Sequence, residues 1–261
     1  MNAPSGPNPI TTAWAIWRAR RVRQPSPHGS GTVDHAALQP VLDDLRRSGV
    51  PGLSESRRAL AGYRMQMAMV DPDALSENQA LAFWLNVYNA GAIDLAAEAF
   101  QRADNSVLRV PGGFEQPWIE VGGETLTLTE IEHGKIRRFI EPRIHGALVC
   151  GSASCPTLRY ETYQGNDLDA QLDDQMQHFL AGGGAVADRD RNTLALSRVF
   201  LWYGGDFVRP QRMPTWLPPR KARLVTHLSP WLQAEQVEWV QRSAPNITFQ
   251  SYDWSLACEV R

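Results

Sequence analysis

Cysteine is scarce: three in 261 residues, an odd number in a chain long enough to build its own core, so a disulfide-stapled fold is not expected. Neither sign of charge dominates, with 26 Lys and Arg against 28 Asp and Glu. No net field therefore selects nucleic acid or an anionic membrane as partner. No apolar run reaches the roughly 18 residues that span a bilayer. A secretory leader is not expected either, because the stretch Ile10 to Trp17 is broken by Thr11 and Thr12 and precedes Arg18, Arg20, Arg21 and Arg23, whereas a leader places its charges first. Familiar chemistry is missing too: no Walker loop, dinucleotide fingerprint, Gly-x-Ser-x-Gly elbow or His-Glu-x-x-His zinc helix occurs. The expectation is a soluble cytoplasmic protein in reducing surroundings, with free thiols.

What is present is ordinary globular composition, 43% apolar and 21% charged, with an unusual nine tryptophans. Residues 1–30, rich in Pro, Ser, Gly and Arg, read as a partly disordered tail, and 31–261 as one domain. Helical periodicity starts at Val33, with Leu38, Val41, Leu42 and Leu45 on one stripe, and a second helix is expected over Ser56–Met69. Ser76 with Gln79 reads as a capping box opening a helix through Phe100 that is apolar almost all round, hence central and buried. Strands are expected near Trp118–Val121 and Thr125–Leu128, with Gly122-Gly123 as the hairpin turn. Thr129 with Glu132 reads as a second capping box for a helix to Phe139. Ile144–Cys150 reads as a strand, Gln171–Leu180 as a helix, Thr193–Leu196 as a strand, Pro219–Leu232 as helical and Ile247–Tyr252 as a final strand. Helices dominate and no βαβ alternation appears, so the fold class is α+β: predominantly helical around a small, largely antiparallel sheet, with a central buried helix.

Chemistry concentrates between Arg143 and Pro156, which join a guanidinium, an imidazole and two thiols. If Ile144–Cys150 is extended, side chains alternate, so His145 and Cys150 point to opposite faces and Cys150 is a small core hydrophobe. Cys155 follows a Gly/Ser turn and precedes Pro156, the residue type that favours the first helical position. It is therefore expected at a helix N-cap, where amides and dipole favour a thiolate. A Cys150–Cys155 disulfide is geometrically feasible but disfavoured in a reducing compartment. A zinc or iron site on His145, Cys150 and Cys155 is the weaker alternative, since the spacing is unusual and no second pair completes a tetrahedron. Neither metal nor cofactor is expected.

Other polar residues have bland and functional alternatives. Asn86 and Asn89 share a face of the central helix and need partners if buried; they either bond backbone or orient a catalytic imidazole. Glu132 caps its helix or contacts substrate. Arg143 pairs with Glu132 or binds a substrate carboxylate, and Ser154 joins Cys150 on the substrate side. Asp206 and Asp253 read as turn or cap residues.

Several segments resemble the family known as domain of unknown function 547: Leu81 to Ala90, Leu126 to His133, Pro142 to His145, Cys150-Gly151-Ser152, Ser154-Cys155-Pro156, Leu196-Ser197 with Phe200, Trp202-Tyr203 with Asp206-Phe207, and Tyr252 to Leu256. The likeness runs from about Val33 to Leu256. It implies little chemistry; some members are exported and some are fused to glutaredoxin-like modules, which suits thiol or glutathione chemistry. This chain departs in having no export signal and in carrying Ala257 where Asn is expected.

The functional expectation is a thiol-dependent hydrolase or acyl transferase acting on an amide, ester or thioester. Cys155 would be the nucleophile, His145 the base and Asn86 or Asn89 its orienting group, with backbone amides of Gly151 to Cys155 holding the oxyanion. The alternatives are a thiol- or glutathione-linked redox pair, although the spacer between Cys150 and Cys155 is longer than the usual two, and a non-catalytic binding module. The expected partner is a small-molecule or peptide-like substrate, with no nucleic acid and no membrane; oligomeric state is not legible.

Overall fold

The computed structural model describes residues 9–215 and 220–261. These divide into two compact units, the first formed by residues up to 139 with 148–168 and 253–261, the second by 140–147 with 169–252. The class is α+β and mostly helical. No helix among the described residues is long and apolar enough to cross a membrane.

In the first unit, helices α1 (Pro9–Ala19), α2 (Gln39–Ser48), α3 (Leu53–Ala68) and α4 (Glu77–Gln101) lead into the hairpin β1 (Pro117–Val121) and β2 (Glu124–Thr127). α4 is the centre, with 19 of its 25 residues buried, as its all-round apolar sequence requires. It packs against α3 and against the short helix α5 (Leu128–Glu130) with the turn that follows. Its own Phe83, Leu85 and Ile93 are fully buried, as are Tyr63 of α3 and Ile131. Gly91 lets the hairpin approach α4, since a Cβ there would lie 2.4 Å from Leu128 Cδ2 and 2.9 Å from Trp118 Cδ2. The hairpin turns on Gly122 and Gly123, both at positive φ (59° and 77°), the conformation a tight two-residue turn demands.

Three local expectations are corrected here. Ser76 sits at the N-cap of α4 in extended conformation, but its side chain makes no cap bond. The capping box of the next helix is Thr127 with Glu130, not Thr129 with Glu132, because β2 ends at Thr127 and the helix starts at once. The helix expected to run through Phe139 is instead three residues of α5, a π-turn over Ile131–Lys135 and a 3₁₀ turn over Ile136–Arg138.

The stretch 1–30, read from the sequence as a tail, is described in part. Residues 1–8 lie outside the described residues, but 9–19 form α1 and the segment after it is tied down. Arg18 Nη2 meets Glu115 Oε2 at 2.9 Å, Arg23 pairs with Asp73, and the Arg23 N–H donates to Glu124 at 2.9 Å. Lys135, almost fully buried, donates to the Arg23 carbonyl and to Glu124, both at 2.6 Å. Distant acids give the arginines partners that local composition does not reveal.

The second unit holds α6 (Ile144–Ala147), α7 (Leu168–Phe179, whose first residue belongs to the first unit), β3 (Ala185–Asp188), β4 (Thr193–Leu196), α8 (Val199–Val208), α9 (Lys221–Leu228), α10 (Ala234–Ser243) and β5 (Asn246–Phe249). Pro219, the expected start of α9, lies outside the described residues. β3 pairs antiparallel with β4, and β4 pairs parallel with β5, so the chain carries a two-stranded antiparallel sheet and a separate mixed one. Met176, Leu194, Leu196, Phe200, Leu224 and Leu228 are fully buried at the centre of this core. The run Ile144–Cys150 is not a strand: Ile144–Ala147 make one helical turn and the chain then runs irregularly to Cys150. A short apolar run carries no period long enough to separate strand from helix.

Candidate functional site

The two cysteines of the dense segment are joined. Cys150 and Cys155 form a disulfide with Cα atoms 6.2 Å apart, contrary to the free thiols expected from the sequence. Both are half-buried, so Cys150 is not the core hydrophobe that strand alternation required. Gly151, at φ 75°, turns the chain between them, and its Cα lies so close to the core that a Cβ would sit 2.9 Å from Val107 Cγ1. No helix begins at Pro156, so Cys155 has no helix N-terminus beside it. Its sulfur instead accepts the Cys150 N–H at 3.0 Å, and Cys150 Sγ lies 3.0 Å from the buried Ser152 hydroxyl.

A second chain segment holds this loop. The Ala153 N–H donates to Ser255 O at 2.9 Å, Ser154 N–H to Asp253 O at 3.3 Å, Ala257 N–H to Gly151 O at 3.2 Å and Leu158 N–H to Glu259 O at 2.8 Å. Ser154 Oγ accepts the Asp253 N–H at 2.9 Å, so Ser154 is a loop fastener. Asp253 in turn accepts the Ser255 N–H at 2.9 Å, and hydrogen bonds from Ser255 hold its carboxyl below the usual range. The amides of Cys150, Ala153, Ser154 and Cys155 are all engaged, the last with Ser152 O at 3.0 Å. Of the Gly151–Cys155 amides expected to hold an oxyanion, those of Ala153, Ser154 and Cys155 are thus already engaged.

The asparagines of α4 hold backbone. Asn86 Nδ2 donates to Tyr163 O at 2.8 Å while its Oδ1 accepts the Tyr163 N–H at 2.9 Å. Asn89 Oδ1 accepts the Val149 N–H at 3.1 Å. Asn89 therefore positions the residue that precedes Cys150, and Asn86 fixes the segment beyond Cys155. Glu132 accepts the Tyr88 hydroxyl at 3.3 Å and lies 3.6 Å from His133 Nδ1; it does not cap a helix.

His145 and Arg143 belong to the second unit. His145, almost fully buried, directs Nε2 to Asp206 Oδ2 at 2.9 Å and stacks on Tyr203 with centroids 4.2 Å apart. Asp206, fully buried in α8, also accepts the Thr215 N–H at 2.9 Å. It is a core partner and not the turn residue its Gly204-Gly205 neighbours suggest. Nothing in the sequence marks the pairing, since 61 positions separate its members. Arg143 meets Glu141 at 2.7 Å, Asp169 at 2.7 Å and Asp173 at 2.8 Å, and not Glu132. Hydrogen bonds donated to Glu141, then to Asp173 and Asp169, raise its pKa against the opposing effect of burial. Its charge is satisfied by structure. Among the described residues no group of three His, Cys, Asp or Glu side chains is placed to hold a metal ion.

No match to the chain was found among curated proteins or among solved structures. The family comparison does match, and its span contains the two asparagines of α4, His145 and both members of the disulfide. Residues 72–180 match the model of the family described as protein of unknown function, DUF547.

Proposed function

We propose that this protein is a thiol–disulfide redox protein whose working group is the Cys150–Cys155 pair, with a small thiol of the glutathione type as its partner. The carrying observation is a closed, half-exposed disulfide within one backbone turn, in which the Cys155 sulfur accepts a backbone N–H. In exchange, a thiolate attacks one sulfur and the other leaves as an anion, so a donor aimed at one sulfur favours it as the leaving group. An external thiolate attacks Cys150 Sγ, the S–S bond breaks, and the electron pair stays on Cys155 Sγ beside the Cys150 amide. A second thiolate displaces Cys150 from the mixed disulfide. Two external thiols are oxidised to their disulfide, and Cys150 and Cys155 take up two electrons and two protons. The reverse reaction oxidises the pair. A cytoplasmic thiol pool would supply the reductant.

The sequence-based alternative, acyl transfer through Cys155, needs the same bond opened first, and three of the loop amides it would use, those of Ala153, Ser154 and Cys155, are engaged elsewhere. Counting alkylatable thiols by mass in urea tests the proposal: one group (Cys258) before reduction and three after. Titration against glutathione couples should then give one two-electron transition, lost in Cys150→Ser and Cys155→Ser and kept in Cys258→Ser. Three free thiols in air-purified protein, or no transition, would overturn it. Hydrolysis of a thioester by the reduced protein, abolished in Cys155→Ser, would restore acyl transfer.

A further inference from the structure

The first unit also carries a cleft of about 400 Å³, lined by Arg57, Arg58 and Arg64 of α3, Asp94 and Gln101 of α4, and Trp118 of β1. Positions 57, 61 and 64 recur at helical spacing, so one stripe of α3 faces it. Ala61 lies between the arginines and takes little of the space.

The polar atoms are arranged to fix cations rather than neutralise them. Asp94 accepts Arg57 Nε at 3.0 Å and Trp118 Nε1 at 3.4 Å. Arg57 also donates to Gln101 Oε1 at 2.8 Å, and Arg64 donates to the Trp118 carbonyl at 3.3 Å. Three guanidiniums thus share one carboxylate among the described lining residues, leaving two positive charges in excess. Each guanidinium offers five N–H donors and no acceptor, so the wall is short of acceptors as well as of negative charge.

We propose that this cleft binds a phosphorylated small molecule, the phosphate group held by Arg58 and Arg64 beside the fixed Arg57. A phosphate monoester carries roughly −1.5 to −2 at neutral pH, which matches the excess of two. Its oxygens accept guanidinium forks bidentately, as a single ammonium cannot. The volume falls in the range of small-molecule sites, roughly 300–1,000 Å³, and leaves room for an organic body behind the phosphate.

Calorimetric titration of the full chain with phenyl phosphate tests this, with benzoate as the singly charged control of similar body. The expected result is saturable one-to-one binding of phenyl phosphate, about tenfold or more tighter than benzoate. Arg58→Ala and Arg64→Ala should each weaken it by about tenfold, the scale of losing a hydrogen bond to a charged group. Arg64→Lys should recover only part of the loss. Arg191→Ala, at an exposed pair with Asp188 in the second unit, should leave binding unchanged. Equal affinity for benzoate, no saturable binding, or full binding by the Arg58→Ala/Arg64→Ala double variant with native circular dichroism would overturn the proposal.

Discussion

Asn86→Leu is the sharpest perturbation of the frame that holds the disulfide loop. Asn86 is almost fully buried on α4, and its amide closes two hydrogen bonds with the backbone of Tyr163, itself buried. Leucine repeats the branched shape of asparagine and is bulkier, so no cavity opens. The Tyr163 N–H and C=O lose these partners without gaining water, at about 1–3 kcal/mol each. The extra apolar surface of leucine returns about 1–2 kcal/mol. A net loss of about 1–4 kcal/mol follows. Urea unfolding followed by tryptophan fluorescence should show it as a lower midpoint at unchanged slope. Asn86→Asp separates the two bonds: it keeps an oxygen for the Tyr163 N–H but sets a second oxygen against the Tyr163 carbonyl. That variant should be destabilised at neutral pH and partly recover as acid protonates the carboxyl and restores a donor. A midpoint for Asn86→Leu within about 0.5 kcal/mol of the parent, the ordinary scatter of surface changes, would refute the reasoning.

Gly91→Ala drives a Cβ into Leu128 and Trp118 and should cost about 1–3 kcal/mol, read by the same unfolding assay; an unchanged midpoint would show that the hairpin yields freely. Burial pushes His35, bonded to Tyr63 at 2.8 Å, from 6.5 down to about 4. Between those values the unfolded chain binds a proton that the folded chain refuses. The parent should therefore lose up to about 3 kcal/mol as pH falls from 6.5 to 4, with no such loss above 6.5. His35→Phe should flatten that slope, and an identical slope in the variant would place the acid sensitivity elsewhere. Burial likewise pushes the Cys258 thiol up to about 12, so iodoacetamide near pH 8 should label it in urea but not in the folded chain; equal labelling rates would contradict the burial.

Where the sequence carried a long period, the structure follows it. The apolar sweep of α4 foretold a central helix, and the Gly122-Gly123 turn foretold its hairpin. Short signals were ambiguous for physical reasons. Thr127-Leu128-Thr129-Glu130-Ile131-Glu132 holds two overlapping Thr-x-x-Glu frames, and only the end of β2 decides between them. Val199 to Val208 contains Gly204-Gly205, which locally spells a turn, yet burial against Phe179 and Leu224 keeps it helical. β3, Ala185-Val186-Ala187-Asp188, has little β propensity and exists because β4 pairs with it. In the site, the cysteines and asparagines were visible as residue types, but their partners were not. The Tyr163 clamp and the His145–Asp206 pair depend on where remote segments meet.

The segment 253–261 supplies the carbonyls that receive Ala153, Ser154 and Leu158, and that has a consequence in time. A chain emerges from its amino end at roughly 5–20 residues per second, so about 100 residues must follow Cys155 before its loop can be clamped. Through those seconds both thiols stand on an unfastened turn, open to whatever oxidant or thiol the cell offers. The redox state of the pair is then settled first by its surroundings and only afterwards by the fold. A chain stalled before residue 253 should differ from the finished one in the ease with which its cysteines are capped, though every residue between them is already in place.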